Sequence, residues 1–169
     1  MNRILSIIFF VIVIGGIAFF IINRCSKSGK SESNEISAKI YLVGYGGTNL
    51  EGKKIGCDDI LVAVPVKLNV ETSDIETALN ELIKQHDTPE LHNFIKGPGL
   101  FLIQVLISNN LAEVYLKGDF DISTKCDIDR IREQLYATAK QFDEYKAVRF
   151  YIGDKTLEQY LSIAEAGFK

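Results

Sequence analysis

The distribution of apolar and polar positions divides the chain into three parts. An uncharged apolar run begins at Ile4 and ends at Ile22. As a helix it would be about 28 Å long at 1.5 Å per residue, close to the thickness of a bilayer's hydrocarbon core. We therefore predict an N-terminal membrane anchor over residues 1–25, a flexible Ser-rich linker over residues 26–37, and one globular domain over residues 38–169.

A buried soluble helix and a cleaved signal peptide are the alternatives to an uncleaved anchor. A soluble helix is rarely apolar on every side. A signal peptide usually ends in small residues, whereas this run ends in FFIINR. Arg24, directly before Cys25, also argues against lipoprotein processing. More basic residues follow the run than precede it, so the positive-inside rule by itself favours a cytoplasmic carboxyl end.

Short runs of β-branched and aliphatic residues predict five strands in the domain. Two of these strands flank the turn Ser108-Asn109-Asn110, because Asn tolerates the positive φ of a tight hairpin. Pro65 lies inside the second run and predicts a sheet edge or a β-bulge there. The runs cover residues 39–43, 60–70, 100–107, 111–116 and 148–152.

Longer segments have the apolar spacing of amphipathic helices. The first begins at Ser73, which forms a capping-box pattern with Glu76, and it ends before Asp87 and Pro89. The second covers residues 127–142, and a short terminal helix is expected over residues 156–164. The order β-β-α-β-β-α-β predicts an α+β fold, with a mostly antiparallel sheet of about five strands and two helices packed on one face.

Composition and motifs exclude several classes of function. The 169 residues include 22 acidic and 19 basic side chains, a net charge of −3, so we expect no nucleic-acid partner. The chain has no Trp and two histidines, His86 and His92. It contains no Gly-x-Ser-x-Gly elbow, His-Glu-x-x-His pair or dinucleotide fingerprint. We therefore expect a protein that is not an enzyme and needs no cofactor.

The element order and four sequence stretches resemble the GerMN domain of sporulation and spore-germination proteins over residues 39–160. The stretches are IYL at 40–42, VPVK at 64–67, ALNELI at 78–83 and NLAEVYL at 110–116, and the segment 134–153 is also similar. The resemblance implies an exported or membrane-tethered module without catalytic residues, similar to the ring-building domains of sporulation assemblies.

The same resemblance implies a disulfide between Cys57 and Cys126, since some exported members of the family carry a cysteine pair at similar places. A disulfide needs an oxidising compartment, so the domain would lie outside the cytoplasm. Two separate buried thiols in a cytoplasmic protein are the alternative. Cys25 is then left unpaired, and we interpret it as an inert thiol rather than as a site of acylation or of an intermolecular bridge.

Four carboxylates would approach one another if this disulfide forms. Clustered carboxylates can hold Ca²⁺ through their oxygens. The interpretation we favour is that two of them serve a helix N-terminus and two are solvated turn residues, so that no metal is bound. The four are Asp58, Asp59, Asp127 and Asp129.

Tyr115 and Tyr151 are the candidate partner-binding residues. Exposed aromatic side chains on a sheet can bind a protein or a glycan. The alternative is that the two tyrosines are cross-strand pairs on a half-covered sheet.

These predictions favour a membrane-tethered extracytoplasmic module that docks an envelope protein or a cell-wall polymer. One alternative is a small envelope hydrolase that uses Asp and His, which requires a cleft holding an imidazole and a carboxylate partner. The other alternative is a homo-oligomeric subunit that forms rings or fibres through a sheet edge.

Overall fold

A computed structural model describes residues 36–68 and 73–168 of the chain. The predicted membrane anchor, and the predicted linker up to residue 35, lie outside the described residues. Within the described ranges, no helix is both long enough and apolar enough to cross a membrane.

The described residues form seven strands and three α-helices. The strands are β1 (Ile36–Gly44), β2 (Lys53–Lys54), β3 (Ile60–Leu68), β4 (Phe101–Ser108), β5 (Leu111–Lys117), β6 (Ala147–Ile152) and β7 (Lys155–Thr156). The helices are α1 (Asp74–Lys84), α2 (Lys125–Lys140) and α3 (Leu157–Ala166). The predicted helices and the five predicted strands are confirmed, while β2 and β7 are too short to give a periodic pattern.

The strands belong to two sheets, so the prediction of a single sheet is wrong, although four of the five strand pairings among the described residues are antiparallel as expected. The first sheet has the order β1-β3-β2 and is antiparallel. The second has the order β4-β5-β6-β7, and β5 pairs in parallel with β6. The parallel pair follows from the connection, since α2 lies between these two strands and a crossover helix brings the chain back in the same direction.

The outer edge of β1 is closed by side chains of α2 and of Gln141, the residue that follows it, and at Val43 by the backbone of His92, rather than by a strand of the second sheet. Lys39 N donates to Gln141 Oε1 at 2.7 Å, and Gln141 Nε2 donates to Lys39 O at 2.6 Å. Two residues further along, Tyr41 N donates to Thr138 Oγ1 at 3.2 Å. Because these backbone groups are already bonded, β1 ends its sheet instead of joining the second one.

The core lies beneath both sheets and is filled by the apolar faces of α1 and α2. Ser73 caps α1 as predicted, since its Oγ accepts from Glu76 N at 3.4 Å. Both helices pack on β1, and α2 also packs on β6 and α3. The largest side chains with almost no exposed surface include Ile40, Leu42, Leu79, Leu82, Ile131, Leu135 and Phe150.

The predicted hairpin turn is confirmed, and the predicted edge at Pro65 is confirmed only locally, because β3 is the central strand of its sheet and is open beyond its two pairs with β2. Asn109 and Asn110, between β4 and β5, have φ of 50° and 63°, as a tight two-residue hairpin requires. Pro65 of β3 lies opposite Lys39 of β1. The backbone N–H and C=O of Lys39 bond to the side chain of Gln141 and not to β3. The N–H that Pro65 lacks therefore removes no hydrogen bond between the two strands. On the other side of β3, β2 pairs only with Ile60 and Leu61.

Candidate functional site

The two predicted partner-binding tyrosines form a stacked pair on the second sheet. Tyr115 of β5 lies opposite Tyr151 of β6, with ring centroids 4.9 Å apart and an interplanar angle of 11°. Tyr151 Oη donates to Glu113 Oε1 at 3.0 Å. Both tyrosines are half-buried, so they form the cross-strand pair that was the alternative interpretation. Their binding of a partner stays a prediction.

The surroundings of Tyr115 keep its phenol protonated. Partial burial raises the pKa of Tyr115, and the negative charges of the Glu113 carboxylate and of the ionised phenol of Tyr151 raise it further. A protonated phenol both donates and accepts hydrogen bonds, so this surface presents a neutral polar group beside an aromatic plane.

The tyrosine pair is the centre of a surface that we call the outer face. The register places Leu106 beside Glu113, Glu113 beside Arg149, and Phe101 beside Lys117. The alternate residues of β5 point into the core, where they are buried. The outer face therefore combines aromatic, aliphatic and charged groups, as protein-binding surfaces do. Its members are Phe101, Leu106, Glu113, Tyr115, Lys117, Arg149 and Tyr151.

A disulfide joins Cys57 to Cys126, with Cα atoms 5.9 Å apart, which agrees with the predicted pairing. It links the 3-10 turn Gly56–Asp58 before β3 to the first turn of α2. Cys57 and Asp58 have φ of 59° and 58°, in the left-handed region that non-glycine residues seldom adopt. The covalent link holds this turn against α2. Asp59, which follows Cys57, and Asp127, which follows Cys126, are thereby brought close to the same arginine.

Arg130 of α2 connects two of the predicted carboxylates, and we call these three residues the Arg130 cluster. Its Nε lies 2.6 Å from Asp59 Oδ2, and its Nη1 lies 2.9 Å from Asp127 Oδ1. The guanidinium carbon is also 5.0 Å from the ring centroid of Tyr45 and 4.8 Å from that of Phe94. One guanidinium thus pairs with two of the four carboxylates that were considered as metal ligands.

Hydrogen bonds keep Asp127 ionised although it is buried. Burial alone would raise the pKa of Asp127. Bonds from the backbone N–H groups of Thr124 and Ser123, and from the guanidinium of Arg130, outweigh burial and lower the pKa below its usual value. Asp127 Oδ2 accepts from Ser123 N at 2.9 Å and from Thr124 N at 2.7 Å. Asp127 therefore serves the N-terminus of α2, as expected, whereas Asp59, expected to be a solvated turn residue, is buried and paired with Arg130.

The other two predicted carboxylates have basic partners of their own. Asp58 Oδ1 lies 4.0 Å from Lys54 Nζ, and Asp129 Oδ1 lies 2.6 Å from Arg132 Nη1. Over residues 36–68 and 73–168, no group of three or more His, Cys, Asp or Glu side chains is arranged to hold a metal ion. The structure thus brings Asp59 and Asp127 together through Arg130, and it gives Asp58 and Asp129 separate ion pairs.

His92 has an acidic neighbour that is already bound to other groups. His92 Nδ1 lies 3.9 Å from Asp87 Oδ2, beyond hydrogen-bond distance. Asp87 Oδ2 instead accepts from Lys96 Nζ at 2.8 Å, and Asp87 Oδ1 accepts from Asn93 N at 2.8 Å. The ring of His92 stacks on Tyr45 with centroids 4.2 Å apart. His86 is exposed in the loop after α1.

Sequence reasoning missed the polar side chains of α2 that bond to the backbone of neighbouring segments. Gln134 and Thr138 are fully buried, and both bond to Tyr41 of β1. With Gln141 they have the spacing i, i+4, i+7, which puts them on one face of the helix beside the apolar stripe. Such a polar row on the border of an apolar face is the signal that could have identified them.

The sequence matches a known protein family. A family model for Germane, described as sporulation and spore germination, matches residues 39–158. The matched range contains the disulfide, the Arg130 cluster and the outer face. No curated protein and no solved structure matches the chain.

Proposed function

The chain belongs to the Germane family of sporulation and spore germination proteins, and on that premise we propose that its domain is a non-catalytic interaction module of the cell envelope. In this proposal the segment from Ile4 to Ile22 anchors the chain in the membrane. The domain lies outside the cytoplasm and docks an envelope protein or a cell-wall polymer through its outer face.

The observation that carries the proposal is the stacked pair of Tyr115 and Tyr151. Their rings lie on a surface that mixes apolar and charged side chains, and a pair already stacked at 4.9 Å loses little side-chain entropy on binding. Aromatic groups held in this way are typical binding hot spots. The disulfide supports the extracytoplasmic location, because such bonds persist in oxidising compartments.

A retention assay tests the binding surface. The full chain, solubilised in mild detergent, is passed over immobilised cell-wall and envelope fractions. We expect Tyr115→Glu and Tyr151→Glu to lose retention, because a carboxylate replaces the ring of the stack. Tyr151→Phe, which keeps the ring, should retain binding, as should Ile163→Glu at an exposed position of α3. Retention that is equal in all variants would contradict the proposal.

A reporter fused after Lys169 tests the location. A reporter that is active only outside the cytoplasm should give a signal, and the matching cytoplasmic reporter should not. The opposite result would place the disulfide in a reducing compartment and would refute the extracytoplasmic assignment.

A further inference from the structure

We propose that two copies of this chain pair edge to edge through β4, so that their second sheets become one continuous sheet. The inference deepens the proposed function and rests on it, since it names a second copy as one partner of the interaction module. It starts from the position of β4, which ends the order β4-β5-β6-β7. Within residues 36–68 and 73–168, no strand pairs with its other side.

Beyond its bulge at Ile103, the sequence of β4 lacks the charges and prolines that normally protect an edge strand. FLIQVLIS has no charge and no proline, whereas natural edges usually carry Lys, Pro or a covering element. The two other long edges of this domain are protected. Gln141, Thr138 and Gln134 cover β1, and the uncovered part of β3 contains Pro65 and Lys67.

Most of the exposed large apolar side chains of the described residues lie on this one strand. Phe101, Ile103, Leu106 and Ile107 keep 47%, 52%, 47% and 49% of their surface exposed. Successive residues of a strand point to opposite faces, so these side chains border the open edge of the sheet from both of its faces. Because the strand also offers an open row of backbone groups, a second strand is the partner that satisfies both features.

The sequence of β4 is self-complementary when two copies of the strand pair in antiparallel orientation. A bulge at Ile103 interrupts the register with β5, which leaves the regular segment from Gln104 to Ser108. A two-fold axis at Leu106 places Leu106 opposite the partner's Leu106, Val105 opposite the partner's Ile107, and Gln104 opposite the partner's Ser108. In this register apolar residues meet apolar residues, polar residues meet polar residues, and no like charges face each other.

A shift of the axis to Val105 would be less favourable. It would put the amide of Gln104 against the partner's Leu106, with a polar and an apolar side chain opposed on the same face. The axis at Leu106 is therefore the register we infer. The resulting interface is small, so the association should be weak and should depend on concentration. It also joins two outer faces into one surface with two tyrosine pairs.

Cross-linking of the full chain tests the register directly. In a Cys25→Ser background, Leu106→Cys puts two thiols opposite each other, at cross-strand Cβ distances of about 4.5–5.5 Å. Under a mild oxidant we expect a disulfide-linked dimer. Ser162→Cys, at an exposed position of α3, is the matched control and should stay monomeric. If Leu106→Cys cross-links no more than Ser162→Cys, the proposal is overturned.

Sedimentation of the full chain in detergent, over a range of concentrations, is the second measurement. Leu106→Lys places two ammonium groups opposite each other and should weaken association at least about tenfold. Ile163→Lys, another exposed apolar residue, should associate like the wild type. If the wild type is monomeric, or if Leu106→Lys associates as strongly as Ile163→Lys, β4 does not join the copies.

These assays need no envelope partner, so their failure can be told apart from failure of the proposed function. A chain that dimerises through β4 but is not retained by envelope fractions refutes only the proposed function. A chain that is retained but stays monomeric refutes the dimer, and β4 would then be open to a strand of another protein.

Discussion

The carboxamide of Gln134 bonds to the backbone of Tyr41 as a neighbouring strand would do. Gln134 Nε2 donates to Tyr41 O at 2.8 Å, while its Oε1 accepts from Phe94 N at 2.8 Å. The side chain is fully buried. One helix residue therefore satisfies backbone groups of two separate segments, which is why β1 can end its sheet inside the protein.

Replacement of Gln134 by Leu should destabilise the domain strongly. The apolar side chain leaves a buried carbonyl and a buried N–H without partners, at a cost of about 1–3 kcal/mol for each group. Urea unfolding of the full chain in detergent measures the loss. Gln85→Leu is the matched control, because the Gln85 amide makes only an exposed bond to His86 O. Equal stability of the two variants would contradict the role given to Gln134.

Loss of the disulfide should lower the free energy of unfolding by roughly 2–4 kcal/mol. The bond spans a sequence separation of 69 residues, and restriction of the unfolded chain by a loop of this length stabilises by about 4 kcal/mol at most. The double variant Cys57→Ala/Cys126→Ala, unfolded by urea, gives the value. Cys25→Ser should leave stability unchanged. An unfolding midpoint of the wild type that is insensitive to a reducing agent would oppose the assignment.

Arg130→Met should cost about 3–5 kcal/mol at neutral pH, because it leaves the buried carboxylates of Asp59 and Asp127 without their counter-ion. Arg132→Met is the control. Arg132 pairs with half-exposed Asp129 and Glu158, and such pairs contribute about 0–1 kcal/mol. Thermal unfolding of both variants distinguishes the two cases. Similar losses of stability in the two variants would mean that the Arg130 cluster stabilises the domain no more than a surface ion pair does.

The stability that Asp127 contributes should disappear in acid. Its pKa is lower in the folded protein than the ordinary value of 3.8. The contribution is therefore complete above that value and is lost as the pH falls through the folded pKa. Unfolding curves between pH 7 and pH 2 should show a smaller acid loss for Asp127→Asn than for the wild type. If the stability of the wild type and of Asp127→Asn falls equally with pH, Asp127 has the same pKa in the folded and the unfolded protein.

Tyr145 should ionise later than an ordinary tyrosine. Burial, together with a hydrogen bond to Glu144, raises the pKa of Tyr145 to about 12. The protonated phenol thus stabilises the fold fully below its usual pKa of 10.0, and this stabilisation is lost as the pH rises towards about 12. Ultraviolet titration should show a late phenolate transition that Tyr145→Phe removes. If the variant keeps that transition, another tyrosine causes it.

Local patterns predicted the elements of the domain because each pattern depends on neighbouring residues. Ser73 and Glu76 indicated the start of α1, and the Asn109-Asn110 turn indicated the β4–β5 hairpin. The disulfide was accessible only through the family resemblance, since spacing along the chain does not determine which cysteines meet. The Arg130 cluster was not predicted, because Arg130 and Asp59 are distant in sequence and meet only when α2 packs against the turn before β3.

The sequence by itself determined the helices and the long strands, since apolar periodicity and capping are local properties, and its resemblance to known proteins indicated the family. Tertiary structure alone decided that the strands divide into two sheets. The buried amide of Gln134 and its neighbours on α2 satisfy the edge of β1, whereas β4 keeps an open apolar edge. The physical reason is that backbone hydrogen bonds are satisfied by whichever groups packing brings near, and packing joins residues far apart in the chain.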